Sequence, residues 1–367
     1  MNGAMRFAYC ALLLRLKSPS AAPFCPTEVW YLLLGARETL ELKRREFITL
    51  LGSAAAAWPL PARAQLPAKG RKIGVLHQGE STVVNMRVAA IREGFDGPDN
   101  QRDVSLEIIV RLADGDVSRL PSLATELVNS RVDAIVAAAP PAVQAAAGAT
   151  TSIPVIAIDL ESDPVAGGFV RSLARPGGNV TGVFLDFPDF SAKCLQLLIE
   201  SVPTLSGVGL LWDPTTGSLQ LKAVEAAAQG FGISAQVFEA RRAADIAEAF
   251  YALDRSRFQG LLLLSSPLIA GNPQLVADLA IRRNLPTISL FPEIARAGGL
   301  LGYGPDIQAL FRQVGAMARK VLQGAKVAEL PAERPTRFQL VANLKTAKLI
   351  GITLPPSILL RADEVIE

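Results

Sequence analysis

Short apolar runs alternate along this chain with stretches in which apolar residues recur every three or four positions, and the alternation is interrupted once, at 153–184. The first kind of run predicts buried strands, the second amphipathic helices packed on them. Before the interruption, strands are expected at 71–77, 105–111, 132–137 and 154–158. The helices between them include one with the stripe Val84, Val88, Ile91 and Phe95, one at 116–130 and a small-residue helix at 140–150. The interrupting stretch leaves its strand on Asp159, runs through Asp163-Pro164, Gly167-Gly168 and Pro176-Gly177-Gly178-Asn179, and enters another strand at 180–184. After it the pattern restarts, with helices at 189–202, 218–230, 243–254 and 272–283 and strands at 208–212, 233–238, 260–264 and 286–290. Residues 300–303 then lead through Gly304-Pro305-Asp306 into a helix with the stripe Ile307, Leu310, Phe311, Val314, Met317, Ala318 and Val321, closed by Gly324. A strand at 337–343, a short helix, a Pro-Pro turn and a last apolar segment complete the chain.

Regular strand–helix alternation implies an α/β fold with parallel sheets covered on both faces. Two such runs predict two Rossmann-like lobes. The chain passes into the second lobe near Phe184, leaves it near Tyr303 and returns near Pro335, which makes a three-crossover hinge. The expected partition is 71–183 plus 303–335 for lobe one and 184–302 plus 336–367 for lobe two. Three strands between lobes bend readily and resist twisting, which suits closure around a ligand.

Ligands of open parallel sheets lie outside the carboxyl ends of the strands. That rule selects His77, Gln78 and Ser81 after the first strand, Ala139 after the third and Asp159 after the fourth. It adds Phe184, then Trp212 and Asp213, Ser265 and Ser266, and Tyr303 in the second half. A few polar groups on an aromatic wall suit a small organic solute, and Trp212 suits an aromatic or cationic one. Each of these residues also reads as a strand-end cap or a core residue. Asp163 and Asn179 read as turn formers.

Charge and cysteine content narrow the function. Residues 1–64 hold eight Lys/Arg and four Glu, which leaves 29 basic and 30 acidic residues in 65–367 against a net charge of +3 for the whole chain. A body this neutral gives no electrostatic case for nucleic acid. No uncharged apolar run reaches the roughly 18–20 residues of a membrane span. Cys194 is the one cysteine beyond residue 25 and lies on an apolar stripe, so it reads as a buried thiol, and no Cys/His metal constellation exists. The single histidine, His77, has no Ser or Cys nucleophile motif beside it. No dinucleotide fingerprint or Walker sequence occurs either. The reading is therefore a binding protein, not an enzyme, with no cofactor and no metal.

Residues 43–65, KRREFITLLGSAAAAWPLPARAQ, place a basic cluster before a short apolar region and an A-x-A site, the tripartite export signal cleaved after Ala64. Arg44-Arg45 with Phe47 is similar to the twin-arginine motif, though Lys43 and Thr49 depart from it, so the twin-arginine and general secretory routes both stay open. The 42 residues ahead of the signal have no clear period and read as a non-native extension, with translation starting nearer Leu42.

The signal, the crossover DPVAGGFVRSLARPGGNVTGV and the ending TAKLIGITLPPSILLRADEVIE together resemble the ABC-transporter substrate-binding proteins common in proteobacteria, over roughly 43–367. The resemblance implies a type I periplasmic-binding-protein fold, a periplasmic location and delivery of a small solute to a membrane permease by a monomer. Some relatives bind aromatic amino acids, so an amino acid or aromatic compound is a candidate solute. The first-strand loop departs from the family: His77-Gln78-Gly79-Glu80 stands where many relatives carry small hydroxyl and glycine residues. Two alternatives remain, an exported binding protein that senses for a receptor and an exported α/β enzyme. A sugar-repressor-type regulator would need a helix-turn-helix where the signal stands. Mass spectrometry of the precursor is expected to find no peptide from residues 1–37; such a peptide would overturn the late start.

Overall fold

The computed structural model describes residues 70–79, 81–97, 105–185 and 187–367. The leader and extension lie outside them. The first half forms β1 (Arg71–His77), α1 (Ser81–Asp96), β2 (Leu106–Leu112), α2 (Leu120–Asn129), β3 (Ala134–Ala138), α3 (Pro140–Ala149), β4 (Val155–Asp159) and β5 (Val180–Phe184). Its strands make one all-parallel sheet in the order β2-β1-β3-β4-β5. Strands β3, β4 and β5 are buried at every position, as continuous apolar runs covered on both faces must be.

The second half continues with α4 (Phe187–Ser201), β6 (Gly207–Trp212), α5 (Leu219–Gly230), β7 (Ser234–Glu239), α6 (Ala243–Ala252), β8 (Gly260–Leu263), α7 (Pro267–Ala270), α8 (Pro273–Arg282), β9 (Thr287–Ser289), α9 (Pro292–Ala297) and β10 (Leu301–Pro305). After α10 (Ile307–Leu322) come β11 (Phe338–Asn343), α11 (Leu344–Leu349), α12 (Pro356–Leu359) and β12 (Glu364–Ile366). The second sheet runs β12-β11-β10-β9-β8-β6-β7. Its portion β7-β6-β8-β9-β10 repeats the winding of the first sheet, so the two lobes share a topology.

Three local differences from the sequence reading have physical causes. The helix expected at 116–130 splits into a 3-10 turn at Val117–Arg119, capped by the Asp116 side chain, and α2, whose Pro121 lacks an N–H to continue the earlier turn. Helices α7 and α9 are not among the elements that periodicity predicts, being only four and six residues long; each starts on a proline, which serves a first helical turn well. The second sheet is parallel except between β10 and β11. Strand β11 follows a crossing from the other lobe, not a strand–helix–strand unit, so the rule that makes such units parallel does not govern it.

Helix α10 leaves β10 of the second sheet and packs on α1 and the first sheet. The segment after it borders β5: Thr181 Oγ1 donates to the Leu330 carbonyl, Glu333 N–H to Gly182, and Phe184 N–H to Glu333. That pairing covers the open edge of the first sheet. One apolar cluster runs from Ile73, Val75 and Ile91 through Leu310 and Phe311 to Leu261 and Ile288, and so spans both lobes. A second, with Leu76, Leu127, Ile135 and Val155, lies on the other face of the first sheet.

The α1–α10 contact is made backbone to backbone. A methyl group on Gly94 would sit 1.9 Å from the Arg312 carbonyl oxygen, and one on Gly315 would sit 2.1 Å from that of Ile91. Gly315→Ala is therefore expected to destabilise the protein by roughly 1–3 kcal/mol through overpacking. Gly148→Ala, where a methyl meets nothing within 4 Å in helix α3, should be neutral or slightly stabilising. Thermal unfolding of both variants tests the contrast; equal melting temperatures would show that α1 and α10 part easily.

Candidate functional site

Strand order locates the site in lobe one. In the order 2-1-3-4-5 the chain reverses direction across the sheet between β1 and β3, and the crevice opens at the carboxyl ends of those strands. His77 ends β1 and Ala139 follows β3. Two adjoining cavities lie there. The smaller, of about 40 Å³, is lined by His77, Arg87, Ala138, Ala139 and Glu161 together with apolar residues of α7, α10 and the 290s. The larger, of about 120 Å³, is lined by His77, Gln78, Gly79, Arg87 and Gly115 from lobe one and by Arg241, Pro267, Leu268, Gly271 and Asn272 from lobe two. Both lobes therefore contribute walls to each cavity.

Ala139 holds φ 76°, ψ 155°, a region that side chains disfavour, while its N–H donates to Ile158 and its carbonyl accepts from Ala142 and Val143. A strained residue held by its surroundings at a cavity wall costs about 1–3 kcal/mol and clusters at ligand sites in general. His77 is buried; its Nδ1 accepts from the Gly79 N–H at 2.7 Å, and its Nε2 contacts the Arg87 guanidinium. Burial first, and then the charge of Arg87, draw His77 down to about 3, so its ring is neutral at physiological pH. Arg87 is half-buried on α1, its guanidinium carbon 5.3 Å from the centre of the Phe311 ring. Burial draws it down to about 10, opposed by the carboxyls of Glu293 and Glu161, and it keeps its charge. Gln78 is 6% exposed and its Oε1 has no hydrogen-bond partner.

Glu161 is the direct link between lobes. It follows β4, and one carboxyl oxygen lies 2.5 Å from the Ser265 hydroxyl, beyond β8, while the other accepts from the Leu160 N–H at 3.1 Å. Ser265 is itself fixed by Gln220, which accepts from its N–H at 2.7 Å and donates to its carbonyl at 2.6 Å. Burial first, then the charge of Asp159, push Glu161 up to about 8. The acid is accordingly protonated near neutrality, the form that a dry interface favours.

The remaining sequence candidates fall elsewhere or have their polar groups engaged. Asp159 is fully buried and accepts from the N–H groups of Glu161 at 3.0 Å and Ser162 at 2.8 Å and from the Ser162 hydroxyl, so it shapes the turn after β4. Burial raises it above the usual carboxylate range. Asp213 caps the turn after β6 through Thr215, at 2.9 Å and 2.7 Å. The Trp212 indole N–H donates to the Gly217 carbonyl at 2.9 Å, and neither cavity includes the ring. Ser266 caps α7, accepting from Ile269 N–H at 3.1 Å. Phe184 sits in the core on the far face of the first sheet. Tyr303 stacks on Phe190 at 5.3 Å and 8° beside an open surface hollow with Phe338 and Lys193. Ser81 begins α1, and its side chain lies outside the described residues.

Sequence reading overlooked Arg87, Glu161 and Arg241. Arg87 carried a signal: it falls between Val84 and Val88 on the apolar stripe of α1, where a charge must be buried or face a cleft. Glu161 carried a weak one, two residues past the β4 end that the strand-end rule selects, and Arg241 carried none, because only the apposition of the lobes brings it to the cavity.

The profile described as ABC transporter substrate binding protein matches residues 72–366. A tyrosine-binding protein of Clostridioides difficile (strain R20291) is 25% identical over 262 residues, covering 71% of this chain and 73% of that protein. The ABC domain in complex with L-Trp from Streptococcus pneumonia is similar with a TM-score of 0.74 and 27% identity, over 81% of this chain and 100% of that one. A conserved domain protein from Vibrio cholerae is similar in fold with a TM-score of 0.74 and 23% identity, over 81% and 100% of the two chains. These likenesses identify the fold as the type I periplasmic-binding-protein fold.

Glu161 gives a pH test. Its folded-state value of about 8 lies above the ordinary 4.5, so its contribution is complete below that ordinary value and is lost as pH rises through about 8. His77 has the opposite sign: lowered from 6.5 to about 3, it contributes above 6.5 and loses that as pH falls. Glu161→Gln keeps a neutral side chain at every pH. Between about pH 5 and pH 8 wild type should therefore lose stability relative to this variant, by roughly 1–4 kcal/mol. Paired denaturant titrations measure the gap, and a gap independent of pH would mean that Glu161 is ionised throughout.

Proposed function

The chain belongs to the ABC transporter substrate-binding protein family, and we propose that it is exported by its signal, works as a monomer and carries one small organic solute to a membrane permease. The observation that carries this reading is the pair of cavities at the strand ends, walled by both lobes and joined across them by Glu161 and Ser265. Such a site opens and closes as the hinge bends, which couples solute capture to a shape that a permease reads. Among the described residues no helix is long and apolar enough to cross a membrane.

The solute class follows from the walls and from the relatives. The smaller cavity is lined mainly by alanine, leucine, isoleucine and phenylalanine with His77, Arg87 and Glu161 as its polar groups, the make-up of a site for an apolar body with one polar end. One relative is described as tyrosine-binding and one solved neighbour holds L-Trp. Aromatic amino acids and aromatic compounds of their size are thus the class proposed for this chain. Binding without turnover is the role in this reading, in keeping with the binding proteins that the chain resembles.

A thermal-shift screen of aromatic amino acids, aromatic acids, amines and sugars tests the proposal. A solute at about 100 times its Kd should add roughly 2.7 kcal/mol of stability and compact the protein in small-angle scattering. Chemical conversion of a bound solute would overturn the binding-only role.

A further inference from the structure

The loop after β1 and the first turns of α1 set hydrogen-bond donors against one another. The neutral His77 ring accepts from the Gly79 N–H at Nδ1, so its single hydrogen resides on Nε2. That N–H faces the Arg87 guanidinium, which has donors only. Two donors in contact satisfy neither. Beside them Gln78 is nine-tenths buried with its amide oxygen unpartnered, and turning the amide over leaves its NH₂ equally ready to donate into the same cavity. Arg241 stands at the lobe-two side of the larger cavity, its charge shared with Glu239 at 3.4 Å.

No carboxyl lining the cavities is free to answer Arg87 and His77; Glu293, whose buried Oε2 has no hydrogen-bond partner, lies outside both linings and acts on Arg87 without pairing with it. Among the described residues, no acid forms an ion pair or hydrogen bond with Arg87. Glu161 is turned to Ser265 and the Leu160 N–H. Asp159 is filled by Glu161 and Ser162, and Asp213 by Thr215. A compact anion placed between Arg87 and His77 Nε2–H would receive a charge-assisted hydrogen bond from one and a neutral one from the other. An ammonium at the same place would meet the Arg87 charge and the His77 N–H directly, with the Glu293 carboxyl, which forms no ion pair with Arg87, to offset the repulsion only in part.

Resting on the reading that a small organic solute binds between the lobes, we propose that Arg87, His77 and Gln78 form a carboxylate subsite, and that the preferred solute is an apolar carboxylic acid without an amino group. Arg87 contacts His77 only until the acid arrives; the carboxylate then accepts from the guanidinium, from His77 Nε2–H and from the Gln78 amide. The apolar body of the acid lies against Ile158, Leu160, Leu310 and Phe311.

Isothermal titration calorimetry of the purified protein with matched sets tests this: 3-phenylpropionate, L-phenylalanine and phenethylamine, and indole-3-propionate, L-tryptophan and tryptamine. The acid of each set is expected to bind at least tenfold more tightly than the amino acid, and the amine not at all. Arg87→Met should lose at least a hundredfold of the acid affinity, with Arg87→Lys recovering part of it and circular dichroism showing both variants folded. An amino acid bound as tightly as its acid, or unchanged acid affinity in Arg87→Met, would overturn the subsite while leaving the solute-binding role intact. Binding of a sugar or polyol with no member of either set bound would overturn both the subsite and the aromatic solute class.

Discussion

The backbone contact between α1 and α10 is the constraint on which the site depends. Gly94 meets the Arg312 carbonyl and Gly315 meets that of Ile91, so neither helix can carry a side chain at the crossing. Helix α10 begins directly after a strand of the second sheet, yet it packs on the first. The contact therefore anchors the second hinge crossing to lobe one. It also places Phe311, the residue before Arg312, under the Arg87 guanidinium on the facing helix. The fold and the polar end of the site share one packing event.

Around that anchor the charged groups divide by what they face. Asp159 and Asp213 end strands in the two lobes and fold their carboxylates back onto local N–H and hydroxyl groups. They stiffen the turns that carry the site. Glu161, two residues beyond Asp159, instead reaches across to Ser265, where burial keeps it protonated. A neutral acid suits a buried contact between lobes, since it spares the cost of stripping water from a full charge.

The architecture was legible in the sequence to a large degree. Short apolar runs such as Leu261–Leu263, bounded by Gly260 and by Ser265-Ser266-Pro267, fit a strand covered on both faces, and the stripe from Ile307 to Val321 fits a helix with one buried side. The strand-end rule also reached His77, Gln78 and Ala139, which the structure places together at the β1/β3 crevice. It gathered Phe184 and Trp212 by the same logic, although one lies in the far core and the other closes its own loop through Gly217. A strand end is defined by the backbone, and which way its side chain turns depends on neighbours distant in the chain.

By itself, then, the sequence determined the two α/β runs, their three crossings, the neutral body and the family, because periodicity, turn residues and charge are local properties. Only the tertiary structure decided that Arg87 on an apolar helix stripe would meet the ring of His77, that Glu161 would pair with a serine from the other lobe, and that Gln78 would bury its amide without a partner. Those are relations between residues up to 104 positions apart, as for Glu161 and Ser265. They arise when the lobes are brought together, and no pattern along the chain encodes them.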